Sequence, residues 1–181
     1  MKQLSILLVH SISILLLFSG CKSSCLNNGP DAIGKKTNRP PKSLAGTWKA
    51  QDNPWKIVLS PNGTISSIVI PLAEVEIKPN RITKMEMKDG SISTFKGGSC
   101  VAEYTPQTRE LFVSIEIKKI HIKFFDIVID GNSIDRLVGP VSEDGKVWTA
   151  DWITTFDYGP HLPQDINDIY AEQLIFEKIK D

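Results

Sequence analysis

The sequence predicts an all-β domain built as an antiparallel up-and-down meander. Three observations carry this. Apolar and polar residues alternate over short segments, turn tripeptides separate those segments, and no room is left for repeated crossover helices. The domain opens near Leu44, leaving 138 residues to Asp181. A chain of that length supports one core that buries roughly two thirds of the unfolded surface.

The elements follow in order. Leu44-Ala45-Gly46-Thr47-Trp48 stands just before the first strand. Trp55 to Ser60 runs into Pro61-Asn62-Gly63, and Thr64 to Ile70 follows as its partner. Further turns are expected at Lys78-Pro79-Asn80, Lys88-Asp89-Gly90, Thr105-Pro106-Gln107, Asp130-Gly131-Asn132 and Glu143-Asp144-Gly145. Asn-Gly and Asp-Gly accept the positive φ of tight hairpins, so the four turns containing them are expected to be hairpins.

Leu111 to Asp130 is the most strand-like stretch. Its apolar phase runs Leu111, Val113, Ile115, Ile117, flips to Ile120, Ile122, Phe124, and flips again to Ile127 and Ile129. A one-residue slip would turn every apolar side chain the wrong way. The stretch therefore reads as two strands joined at Lys118-Lys119, or as one long strand bent by bulges. Near the end, Trp148, Ala150, Trp152, Thr154 and Phe156 share one strand face. Cys100, Ala102 and Tyr104 form a second inward candidate face. Pro163-Gln164-Asp165 precedes Ile166, Ile169, Tyr170 and Leu174 at helical spacing, which predicts one short helix before a last strand over Gln173–Lys180.

Ahead of the domain, Leu4 to Phe18 is a fifteen-residue apolar run interrupted by Ser5, His10, Ser11 and Ser13. A permanent span needs about twenty apolar residues, so the run is short for one. One cation, a short apolar core and then small residues is the layout of a secretory signal. Phe18-Ser19-Gly20-Cys21 resembles the lipobox of bacterial lipoproteins. That resemblance implies a signal over 1–20, cut before Cys21, with Cys21 lipidated as the first mature residue. By analogy with the enteric sorting rule, Lys22 after the cysteine points to the outer membrane. The implied location is the bacterial cell envelope, with the membrane as partner through the lipid anchor.

Residues 21–43 lack an apolar period and are rich in Lys, Asn, Ser, Pro and Gly, which predicts a disordered tether. Lys22, Lys35, Lys36, Arg39 and Lys42 oppose a single Asp31, a net +4, whereas residues 44–181 carry 15 basic and 20 acidic side chains, a net −5. The neutral chain is thus an acidic domain on a basic leash, and an acidic domain disfavours nucleic acid as a partner. Each leash cation could gain up to about 1 kcal/mol against anionic headgroups, or serve only spacing and solubility. Cys25 and Cys100 could pair in an exported protein, but Cys100 reads rather as a free, buried small hydrophobe.

Gly46-Thr47-Trp48 at the head of the first strand resembles the lipocalins and the wider calycin group, small up-and-down barrels that enclose apolar ligands. The resemblance implies that Gly46 makes the bend into the barrel and that Trp48 plugs its closed end. Lys178 is then the nearest counterpart of the arginine that the family places in its last strand. A late helix before a short last strand also fits that order. A β-sandwich is the alternative fold.

Catalytic motifs are absent: there is no Gly-x-Ser-x-Gly elbow, no His-Glu-x-x-His and no Gly-rich phosphate cradle. His121 reads as an exposed strand histidine. His161 with Asp157 and Asp165 lies in a loop whose spacing demands no metal. Asp151 and Asp157, six residues apart on one strand, would stand ~20 Å apart, too far for paired carboxyl chemistry. No catalytic residue, metal or cofactor is expected. The expected function is a non-enzymatic, membrane-anchored lipoprotein binding a small apolar ligand, with Trp48, Tyr104, Trp148, Trp152 and Phe156 as pocket candidates. The same aromatic face would equally serve as a packed core. The alternatives are a β-sandwich module that binds envelope proteins and, third, an envelope hydrolase.

Overall fold

The computed structural model describes residues 38–71, 74–124, 127–157 and 170–179. A 3-10 turn at Lys42–Leu44 precedes ten strands: β1 Gly46–Ala50, β2 Lys56–Leu59, β3 Ile65–Val69, β4 Glu76–Ile77, β5 Ile82–Glu86, β6 Ile92–Thr105, β7 Glu110–Phe124, β8 Ile127–Pro140, β9 Val147–Asp157 and β10 Tyr170–Ile179. They form a single sheet in the order β4-β3-β2-β1-β10-β9-β8-β7-β6-β5. All its pairings are antiparallel, and the first and last strands pair, with Trp48 opposite Lys178. Only β4 and β5 stand at the two ends of the order. Across that seam Thr83 Oγ1 of β5 donates to Glu76 O of β4 at 3.1 Å, and Asn80 N, in the turn between them, donates to Gly98 O of β6 at 3.1 Å. The protein is a nearly closed up-and-down β-barrel. One sheet curls round the core where a sandwich would need two.

Three of the four Asn/Asp-Gly pairs turn hairpins as expected. Gly63, Gly90 and Gly145 lie between β2 and β3, β5 and β6, and β8 and β9, with φ of +76°, +78° and +68°. Asp130-Gly131 does not turn. It lies inside β8, Asp130 opposite His121 and Gly131 opposite Ile120, and β7 continues to Phe124. A reversal at Asp130 would strip the end of β7 of its ladder partners, so backbone pairing outweighs the local turn preference.

Leu111 to Phe124 is one strand bent by a bulge. Ile117 pairs with Ser133 and Ile120 with Gly131, so Lys118 and Lys119 oppose only Asn132. The extra residue resets the phase, and Ile115, Ile117, Ile120 and Ile122 all face the core. β6 carries its own bulge, with Gly98 and Ser99 opposite Glu116. The Glu116 carboxylate accepts from Ser99 N and Ser99 Oγ, both at 3.0 Å. Those two donors hold its pKa below the usual carboxylate range.

The segment expected to be helical becomes strand from Tyr170. Tyr170 to Glu177 pair residue by residue with β9, and Leu174 and Phe176 alternate into the core. Pairing with a long neighbour overrides the weak helical spacing. Residues 163–169 of that expectation lie outside the described residues, as do the signal segment 1–20 and the tether up to residue 37. The packed region starts ahead of Leu44: Tyr104 N donates to Asn38 O at 2.7 Å and Pro40 is buried. Among the described residues no helix is long and apolar enough to cross a membrane.

The register divides the interior into two halves. Where β1 and β9 begin and β8 and β10 end, Trp148 stacks on Phe176 at 4.8 Å and meets the edge of Trp48 at 6.3 Å. Their indoles are satisfied by backbone: Trp48 Nε1 donates to Leu44 O at 3.0 Å and Trp148 Nε1 to Gly139 O at 3.1 Å. Lys178 closes this end, its stem over Gly46 and its Nζ donating to Ser43 O at 2.7 Å. This half is solid.

Candidate functional site

The other half is hollow. A partly open pocket of about 290 Å³ is lined by Trp55 ahead of β2, Ile70 and Pro71 after β3, Ile117 of β7, Ser133 and Asp135 of β8, and Trp152 and Phe156 of β9. Trp55 and Trp152 meet edge to face at 5.5 Å and form one wall. The pocket arises because β8 puts Ser133 and Asp135 on the inward phase, level with β9's aromatic face. Small polar side chains there leave volume that the aliphatic side chains of β7 fill elsewhere.

Asp135 is the unusual group. It is 4 % exposed, and its cross-strand neighbours are Ile115 and Thr154. Trp152 Nε1 donates to its Oδ1 at 2.9 Å. Burial pushes its pKa above the usual range, against the opposing pull of the Trp152 indole and of the Thr154 and Ser133 hydroxyls. None of the ion pairs among the described residues involves it. Among the described residues, Trp55 Nε1, Ser133 Oγ and Thr154 Oγ1 are buried with no partner at hydrogen-bonding geometry, so the two hydroxyls act on Asp135 from nearby without closing a bond. A hollow with apolar walls and unsatisfied polar groups is a binding-site arrangement.

The pH dependence of stability follows from the direction of the Asp135 shift. The folded state holds the proton more tightly than the unfolded chain. The stability this contributes is therefore fully present below the ordinary carboxylate range, and is lost as pH rises through the raised folded value. Asp135→Asn, which cannot ionise, is expected to be more stable than the parent at pH 8, on the order of 1 kcal/mol. At pH 4 the gap should close. Urea unfolding at the two pH values measures it, and a gap that widens on acidification would contradict the buried-carboxylate account.

Of the pocket candidates named from sequence, Trp152 and Phe156 line the hollow. Trp48 and Trp148 sit in the solid half, and Tyr104 packs partly buried against the core. Trp55, Ser133 and Asp135 were not singled out by the sequence. The one signal for the last two is parity, since Ser133, Asp135 and Leu137 alternate on one face of a strand. Cys21, the lipidation candidate, lies outside the described residues, as do Cys25, His161 and Asp165. Cys100 is a free thiol pushed up to about 11, mainly by burial and also by the Glu116 charge, so it stays protonated and unreactive near neutrality.

Comparison with protein-family models, curated proteins and solved structures gives no match. His121 Nδ1 lies 2.8 Å from Asp130 Oδ1 on the outer face, away from the pocket. Asp151 and Asp157 accept hydrogen bonds from Gln173 and Asn132 on the outside of β9. Among the described residues no three or more His, Cys, Asp or Glu gather as a metal site.

Proposed function

We propose that this chain is a lipid-anchored lipoprotein of the bacterial cell envelope whose barrel binds a small, largely apolar ligand without transforming it. The observation that carries the reading is the hollow beside Trp152, walled by Trp55, Phe156, Ile70, Pro71 and Ile117. Its described lining holds one carboxyl and one hydroxyl, with no imidazole, thiol or amine to complete an acid–base or nucleophilic set. The anchor rests on the apolar run ending in Phe18-Ser19-Gly20-Cys21. An acidic domain on a basic leash suits a position held at, but clear of, an anionic membrane surface. The exposed large apolar side chains are spread over β5, β6, β8 and β10, which gives an interaction module less support than the hollow gives a ligand.

Native mass spectrometry of protein purified without detergent tests the ligand, and a co-purifying small molecule is the expected result. A clean apo mass together with no binding of apolar probes would remove the reading. For the anchor, Cys21→Ser is expected to abolish labelling by radioactive palmitate. Unchanged labelling would sink it.

A further inference from the structure

We infer that the pocket receives the ammonium group of a small organic amine, with the Asp135 carboxylate as its counter-ion and the rings of Trp55, Trp152 and Phe156 around its apolar body. This rests on the ligand-binding reading and names the class of ligand. A buried carboxylate is costly unless a cation or several donors answer it. Among the described residues only the Trp152 indole meets Asp135 at hydrogen-bonding geometry, the Ser133 and Thr154 hydroxyls lie near enough to draw its pKa down without closing a bond, and no cationic side chain pairs with it. No cation among the described residues answers the charge, and it stands at the wall of a hollow.

The surroundings select among ligands. A neutral apolar molecule would leave Asp135 and the Ser133 hydroxyl as unanswered as before, and an anion would meet like charge. A hard metal ion needs about six oxygen donors, and the lining supplies one carboxylate and one hydroxyl. An ammonium group offers N–H donors to both, in a charge-assisted bond at Asp135. Aromatic faces attract a cation within about 6 Å of the ring centroid, and three aromatic side chains line this pocket. Trp55 Nε1, a donor without a partner among the described residues, remains for an acceptor on the ligand's body. At about 290 Å³ the hollow is at the small end of ligand sites. It suits an amine with one ring or a short chain, and not a long-chain lipid.

The test compares three near-isosteric probes by titration calorimetry and tryptophan fluorescence: phenethylammonium, 2-phenylethanol and 3-phenylpropionate. Phenethylammonium is expected to bind at least ~10-fold more tightly than the alcohol, which corresponds to about 1.4 kcal/mol, and the carboxylate least. Asp135→Asn should erase that preference while leaving a folded barrel, as its thermal unfolding will show. Ser133→Ala, a smaller change, should weaken the ammonium more than the alcohol. Equal affinity for ammonium and alcohol, or a preference that survives Asp135→Asn, would overturn the amine assignment and leave the apolar-ligand reading standing. No binding of any probe, joined to a clean apo mass, would overturn both.

Discussion

Trp148→Ala is expected to cost about 3–5 kcal/mol, the range for deleting a fully buried large aromatic. Trp148 is wholly buried, stacked on Phe176 and edged by Trp48. Its removal opens a void bounded by two rigid rings and β-strands that cannot collapse into it. It also strips the Gly139 carbonyl of its indole donor. Small domains are stable by only about 5–15 kcal/mol, so this single change should consume a large share. Phe156→Ala, on the same strand face but at the half-exposed wall of the hollow, should cost about 1–2 kcal/mol. Urea unfolding of the two variants measures the difference. Equal losses would mean that the division into a solid and a hollow half is wrong.

Gly139→Ala is the second large effect, and it acts by overfilling. A Cβ at Gly139 would overlap the carbonyl oxygen of Thr149 and stand 3.2 Å from the Ala150 Cα. The obstacle is backbone of β9, which cannot rotate aside as a side chain would. The strands would have to separate where Gly139 also pairs with Leu111 and accepts from Trp148. A loss of about 3 kcal/mol is expected, the upper part of the usual overpacking range. Gly90→Ala makes the control: its Cβ would meet open space, and only its φ of +78° resists. That should cost about 1 kcal/mol. Thermal unfolding separates the two, and a tolerated alanine at Gly139 would show that the β8–β9 approach is looser than described.

Much of the barrel was legible because strand signals are local. Alternation along β9 placed Trp148, Ala150, Trp152 and Thr154 inward, where the structure buries them, and Phe156 on the same face, where it is half-buried. Asn62-Gly63, Asp89-Gly90 and Asp144-Gly145 turned where their backbone preference said. Two expectations gave way for a shared reason. Asp130-Gly131 lies within a strand, and Tyr170 to Leu174 extends rather than coils, because a long neighbouring strand offers each a continuous ladder. Those partners are distant in sequence, so no local window could weigh them.

The sequence by itself determined the meander: period-two alternation and positive-φ turn dipeptides are properties of neighbouring residues. It could not determine which stretch of the aromatic face would be filled. Trp148 and Trp152 stand four residues apart on the same face of β9, in the same pattern. Phe176 and Trp48, brought by β10 and β1, fill the space at the first. At the second, β8 brings Ser133 and Asp135, and a hollow remains. Volume and charge inside a barrel are contributed by strands far apart in the chain. Only tertiary pairing decides whether their sum is a core or a site.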